Sequence, residues 1–260
     1  MDGKPHPISP QDLYARLGTA SAPYVIDVRK PEAFRDDDKL IIGAARRPPA
    51  EVDRWRTDFS AGRAVIVYCV HGGETSQGVA TALRAAGIDA AYLDGGIAGW
   101  KAQRLPTRRN LGPGADKWVT RERPKVDRIA CPWLVARFIN PEAEFIYVPV
   151  NQVLAVAKET GATPYDIAGV EFGHVGDRCS FDAIIRIYGI EDLALDRLAT
   201  IVRGSDTSRP DLAPQCPGLN ALSHGLSANF SDDHEQLKYG MVMYDALYAW
   251  CRAADSAKQH

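Results

Sequence analysis

The chain has 260 residues, 45% of them hydrophobic and 25% charged, with 31 basic and 33 acidic side chains and a formal net charge of −2. This is the composition of one large or two ordinary globular domains, and it excludes a disordered or low-complexity protein. Residues 1–110 hold 16 Lys and Arg against 13 Asp and Glu, and the remainder 15 against 20, so neither part has the basic excess of a general nucleic-acid binder.

No apolar run approaches membrane-spanning length, so no membrane partner is expected. Met1 to Pro7 lacks the apolar core of a signal peptide. The five cysteines, Cys69, Cys131, Cys179, Cys216 and Cys251, are odd in number, widely spaced and without a CxxC pair. That pattern points away from a disulfide framework or zinc ribbon and toward the reduced cytoplasm.

The first element opens at Ser9, an N-cap followed by Pro10 at the first helical position, Asp12 in the first turn, and Leu13 and Leu17 four apart. Tyr24 to Val28 is a strand, with Asp27 and Arg29 at its end as an ion pair that either shapes the neighbouring active loop at 70–75 or serves the fold alone. Asp36-Asp37-Asp38 reads as a solvated loop. Ala64 to Tyr68 is apolar and β-branched, a buried strand, and Cys69 closes it. Val70-His71-Gly72-Gly73-Glu74-Thr75 follows, and Ser76 to Ala86 is helical, with Val79, Ala82, Leu83 and Ala86 on one face and Gly87 as the stop.

A thiol at the carboxyl end of a strand, before a Gly-bearing loop that opens a helix, has a chemical use. Loop N–H groups and the positive end of the helix favour an anion, lower a thiol pKa and make the sulfur nucleophilic. The alternative is a small apolar Cys that ends a core strand. A third strand at 90–93, followed by Gly95-Gly96 and a core-packing Trp100, completes a parallel α/β sheet with helices between the strands.

Cys69 with Gly72 and Thr75-Ser76, Asp27-Val28-Arg29, and Leu93-Asp94-Gly95-Gly96-Ile97-Ala98-Gly99-Trp100 resemble, in order, the motifs of a rhodanese domain over residues 8–107. The resemblance implies that Cys69 takes a sulfane sulfur from a small-molecule donor, holds it as a persulfide and passes it to a thiol acceptor, with no cofactor required. Two features depart from that family. Ile41-Ile42-Gly43-Ala44 lacks the His of its usual segment, and Val70 and Glu74 stand where thiosulfate-using loops often carry Arg. Glu74 is expected to repel an anionic donor and to raise the thiol pKa, which favours a persulfide over thiosulfate. Phosphatase and arsenate-reductase loops close on an Arg that binds oxyanion oxygens, and Thr75 and Ser76 occupy that region here.

Residues 108–114 combine charge with Gly and Pro and mark a boundary, giving a domain at 1–110, a linker at 111–117 and a second domain at 118–260. Residues 118–139 lead into a helix, Phe145 to Val148 is a strand, and Val153 to Lys158 is a short helix stopped by Gly161. Helices are expected at 182–188, 193–202, 219–226 and 233–252, with Asp232-Asp233-His234-Glu235 as an acidic helix start. The fold class is therefore an α/β domain followed by a mainly α-helical one.

Val126-Asp127-Arg128-Ile129-Ala130-Cys131-Pro132-Trp133-Leu134, with Glu171-Phe172-Gly173-His174-Val175-Gly176-Asp177-Arg178-Cys179-Ser180-Phe181, resembles the C-terminal domain of bacterial chromate-resistance proteins over about residues 118–252. That resemblance implies a role in sensing or handling chromate. Glu171, His174, Asp177 and Cys179, with Asp127 and with Asp206 or His224 from neighbouring helices, offer a mixed ligand set for a divalent metal; the alternative is a hydrogen-bonded loop that fixes the fold. Arg123, Arg128 and Arg178, with Arg137, are candidates for chromate or another tetrahedral oxyanion, or for ordinary salt bridges. The leading reading is a sulfurtransferase fused to a chromate-resistance domain. Its rival is a non-catalytic redox, chromate or metal sensor. The oligomeric state is left open.

Overall fold

The computed structural model describes residues 5–59, 62–112 and 116–256, so residues 1–4, read above for a leader, and residues 113–115 of the boundary lie outside it. The chain divides into two compact units, Met1–Asn110 and Leu111–His260.

The first unit runs β1 His6–Ile8, α1 Pro10–Arg16, β2 Tyr24–Asp27, α2 Pro31–Asp36, β3 Leu40–Ile41, β4 Ala44–Arg46, α3 Val52–Trp55, β5 Val65–Tyr68, α4 Glu74–Ala85, β6 Ala90–Leu93, α5 Gly96–Ala102 and β7 Thr107–Arg108. Five strands form a parallel sheet in the order β1-β6-β5-β2-β4. β5 is central, and all four of its residues are buried, as a strand covered on both faces must be. Val65 and Val67 join Ile26, Val28, Val79, Ala80 and Leu83 in one core cluster. Ser9 caps α1 as its sequence predicts: its side chain accepts the Asp12 N–H. Trp100 is fully buried and donates its indole N–H to the Pro106 carbonyl at 2.9 Å.

The second unit runs β8 Lys117–Arg121, α6 Val126–Leu134, β9 Glu144–Val148, α7 Val153–Thr160, β10 Thr163–Pro164, α8 Ser180–Tyr188, α9 Leu193–Asp206, α10 Cys216–Asn229 and α11 Asp233–Ser256. It is mainly helical, but residues 117–121 form a strand where a lead into a helix is expected. This strand is the centre of a parallel sheet in the order β10-β8-β9. α7 covers that sheet, burying Val153 against Val119 and Ala162.

Pro132 lies inside α6 and has no N–H to offer the carbonyl of Arg128. The Tyr147 hydroxyl donates to that carbonyl instead, at 3.1 Å. The helical core centres on Trp133, ringed by Phe138, Phe181, Tyr244 and Tyr248. α11 crosses α6 so closely that a Cβ on Gly240 would stand 2.3 Å from Ile129.

Candidate functional site

Cys69 follows β5 at the carboxyl edge of the sheet and is 8% exposed. Its Sγ lies 3.2 Å from the Ser76 hydroxyl, which is itself 3.2 Å from the Gly73 carbonyl. Burial pushes the thiol pKa up, but the Ser76 hydroxyl and the N–H groups of Ser76, His71 and Gly73 outweigh it and hold the thiol below its ordinary value. The upward shift expected from Glu74 is not seen. Glu74 is an exposed first residue of α4, screened by water, while the donors reach the sulfur directly.

The two loops at this edge of the sheet interlock. Gly72 has φ +72°, and a Cβ there would lie 2.6 Å from the Leu93 carbonyl oxygen. Gly96 has φ +55°, and its Cβ would lie 2.5 Å from the Cys69 carbonyl oxygen and 2.6 Å from that of Val70. Those two carbonyls accept the N–H groups of Ile97 and Ala98, each at 3.0 Å. The Gly-Gly segment after β6 is thus more than a turn: it clamps the Cys69 loop from behind. Gln77 braces it again by donating its side-chain amide to the Gly72 carbonyl at 2.9 Å. His71 is exposed and Thr75 half-buried.

Asp27 and Arg29 form a fully buried pair, with Arg29 Nε 2.9 Å from Asp27 Oδ2. Arg29 also donates to the carbonyls of Asp37 and Lys39, both at 2.7 Å. The side chains of this pair therefore brace residues 37–39 rather than the Cys69 loop. Asp37 among them is paired with Lys101 rather than merely solvated.

In the second unit, Asp127 and His174 come together, joined by Asp206 and by Asp166, which sequence reasoning missed. His174 Nε2 lies 3.5 Å from Asp127 Oδ2, 3.2 Å from Asp166 Oδ1 and 3.2 Å from Asp206 Oδ2. These carboxylates raise the His174 pKa to about 12, while burial and the charges of Asp206 and Asp166 raise that of Asp127 to about 6. Asp166 has φ +50° two residues beyond β10, a placement that no local motif announces.

Glu171 and Asp177 are exposed and stand outside this group, and so does His224. Cys179 is also outside it. It is fully buried at the N-cap of α8, where its N–H and thiol both meet Asp182 Oδ2. Burial, then the charges of Asp127 and Asp182, push its thiol far above the ordinary range.

The arginine cluster does not form. The Arg123 guanidinium donates to the carbonyls of Ser227, Phe230 and Ser231, and its backbone N–H donates to the Asp233 carboxylate. Arg128 pairs with Asp166 at 3.2 Å, and Arg137 with Asp245 at 2.9 Å. Arg178, 59% exposed, meets Asp182 at 3.4 Å and lines, with Arg186 and Arg203, a separate cleft of about 640 Å³. Carboxylates thus take up Arg128 and Arg137, and backbone carbonyls take up Arg123.

A five-stranded parallel sheet with a cysteine loop at its carboxyl edge, followed by a mainly helical unit, defines a two-domain protein with a rhodanese-like first half. Residues 9–103 match the rhodanese-like domain family, and residues 118–251 match the ChrB, C-terminal domain family. The chain belongs to the ChrB C-terminal domain family. It is 32% identical over 155 residues to Protein ChrB of Cupriavidus metallidurans, a match that covers 59% of this chain and 45% of that protein's length. Among solved structures, a rhodanese-related protein from Thermoplasma volcanium aligns at 24% identity over 39% of this chain and 96% of its own, with a TM-score of 0.35. A rhodanese-like domain protein from Staphylococcus aureus aligns at 25% identity over 36% and 90%, with a TM-score of 0.33. No described helix is long and apolar enough to cross a membrane.

Proposed function

We propose that the first unit is a sulfurtransferase that carries sulfur as a persulfide on Cys69 in a reducing cytoplasm. The observation that carries this reading is the Cys69 thiol, ringed by the Ser76 hydroxyl and loop N–H groups that hold it below its ordinary pKa. The thiolate attacks the sulfane sulfur of a donor. A new S–S bond forms on Cys69, the donor's S–S bond breaks, and its electron pair departs with the leaving thiolate of a persulfide donor or the sulfite of thiosulfate. An acceptor thiolate then takes the terminal sulfur and returns Cys69 as thiolate. The same N–H groups stabilise both anionic forms. Val70 and Glu74 supply no cation for a doubly charged donor, so a low-molecular-weight or protein persulfide is preferred to thiosulfate.

The test is intact mass after incubation with each donor, for wild type and Cys69→Ser. Gain of one sulfur that depends on Cys69 is expected, chiefly from the persulfide. No gain from either donor would transfer the reading to a non-catalytic sensor.

A second reading places chromate, and with it a part in detoxification, in the cleft of the second unit. Arg203 is tied to Asp182 through two hydrogen bonds of 2.9 and 2.7 Å, but Arg178 is held only at 3.4 Å and Arg186 is exposed on the same cleft. Two loosely held guanidinium groups suit a tetrahedral oxyanion. Chromate titration should give weaker binding for Arg186→Gln than for wild type, and equal affinities would remove this reading.

A further inference from the structure

We propose that the second unit holds one divalent first-row metal ion on Asp127, His174 and Asp206, with an open coordination position toward solvent. Side-chain ligand atoms of these three residues lie within 4.8 Å of one another. They come from three separate places: the first turn of α6, the loop before α8, and the last residue of α9.

The arrangement is hard to explain as hydrogen bonding alone. His174 Nε2 can carry one proton, yet it faces three carboxylate oxygens at 3.2–3.5 Å. One N–H cannot serve all three well. A dication in place of that proton meets the neutral nitrogen and the oxygens together. With ligands about 2.0–2.2 Å from a metal, neighbouring ligand atoms stand roughly 2.9–3.5 Å apart in tetrahedral or octahedral geometry. The His174 distances to Asp127 and Asp206, 3.5 and 3.2 Å, fall in that range.

A second, independent observation points to a ligand. The Asp127 carboxylate is 1% exposed and faces this site, and its Oδ1 is buried with no hydrogen-bond partner. Its Oδ2 is fixed by the Ser180 N–H at 2.6 Å, the kind of outer contact that orients a metal ligand. A buried carboxylate oxygen without a partner is costly, and a cation held by both oxygens of Asp127 would satisfy it.

Charge balance separates ligands from support. Asp166 also approaches His174, but its Oδ2 is paired with Arg128 at 3.2 Å and Arg121 at 3.5 Å, and its Oδ1 accepts from the Ser180 hydroxyl at 3.2 Å. Its charge is thus already matched, and it braces the site from outside. Asp127 and Asp206 are left with two negative charges against one dication. One imidazole and two carboxylates form a ligand set suited to Zn²⁺, Mn²⁺ or Fe²⁺ rather than to a soft ion. Asp127 closes the floor, while the side chains of His174 and Asp206, 43% and 20% exposed, leave the outer side reachable by water or substrate.

The full chain, stripped by chelator and desalted, is titrated with ZnCl₂ and with MnCl₂, and bound metal is counted by elemental analysis alongside thermal unfolding. Wild type and Cys69→Ser should each retain about one ion and unfold at higher temperature with it. His174→Ala and Asp206→Asn should bind at least about tenfold more weakly and lose that rise in unfolding temperature. These two side chains are partly exposed, so both variants are expected to fold, and a circular dichroism spectrum matching that of wild type is the check on folding. Retention of no ion by wild type, or wild-type affinity in both folded variants, would overturn the assignment.

Discussion

Cys69 follows β5 at the loop that opens α4, Cys179 caps α8, and both are buried, yet the two units do opposite things to them. Around Cys69, N–H and hydroxyl donors converge on the sulfur, and the thiol falls below its ordinary pKa. Around Cys179 the sulfur meets the Asp182 carboxylate, with Asp127 also near, and the thiol rises. The difference teaches that a helix start does not by itself activate a cysteine. Its charge field is weak, about 0.3–1 kcal/mol at an exposed end, and a neighbouring carboxylate or donor overrides it.

The contrast is most directly tested by competition for a thiol reagent. In the native protein Cys69 should react with iodoacetamide roughly a hundredfold or more faster than Cys179, whose sulfur is protonated and reached only by local opening. Peptide mass mapping at short times measures the ratio, and comparable labelling of both would erase the distinction. The clamp behind the Cys69 loop should give the next largest effect. Gly96→Val adds atoms where even a Cβ stands 2.5 Å from the Cys69 carbonyl oxygen, at a φ that a β-branched residue disfavours. Labelling and sulfur loading of Cys69 should fall about tenfold or more, with a lowered unfolding temperature; unchanged loading would show that the clamp is dispensable.

Much of the first unit is legible because its chemistry is local. Ala64 to Cys69 reads as a buried strand and Ser9-Pro10 as a helix start directly from residue type. The three-residue strands His6–Ile8 and Ala44–Arg46 are missed because edge strands that short carry no alternation. The clamp by Gly96 is missed because it depends on a contact between loops more than twenty residues apart. In the second unit the His174 loop stands out in sequence for its polar density, and Asp127 and Asp206 are among the partners expected for it, but Asp166 is not. Asp166 is an ordinary aspartate until folding brings it to His174, while Glu171 and Asp177, beside His174 in sequence, are exposed and outside the group. Proximity in sequence is a poor guide where ligands come from different helices.

Ser76→Ala isolates the donor side of the comparison. A hydrogen bond to a charged group contributes about 1.5–3 kcal/mol, so its loss lowers the thiolate fraction at neutral pH by about tenfold or more. The more basic sulfur is a better nucleophile and recovers about half of the logarithm, leaving a labelling rate down by roughly threefold to tenfold. The sign in pH follows from the lowered thiol. Wild-type Cys69 stays ionised to lower pH than an ordinary thiol, and any stability it lends is present above the unfolded thiol's pKa and lost as pH falls through the folded one. The labelling profile of Ser76→Ala should therefore lie at higher pH than that of wild type. Coincident profiles would assign the depression to the backbone N–H groups alone.

The smallest expected effect concerns donor choice. Glu74 is exposed, so its charge reaches the sulfur through solvent and does little to the thiol. An incoming anionic donor must still pass close to it, and surface charges act on encounter more than on ground-state chemistry. Glu74→Arg reverses one charge beside the loop. It should raise the rate of sulfur loading from thiosulfate by several-fold at low salt, leave loading from a neutral persulfide donor nearly unchanged, and lose its advantage as ionic strength rises. Equal gains for both donors would mean that the side chain acts on the Cys69 thiolate itself. That would return Glu74 to the role its sequence position first suggests, and it would make the donor preference a property of the sulfur rather than of the approach.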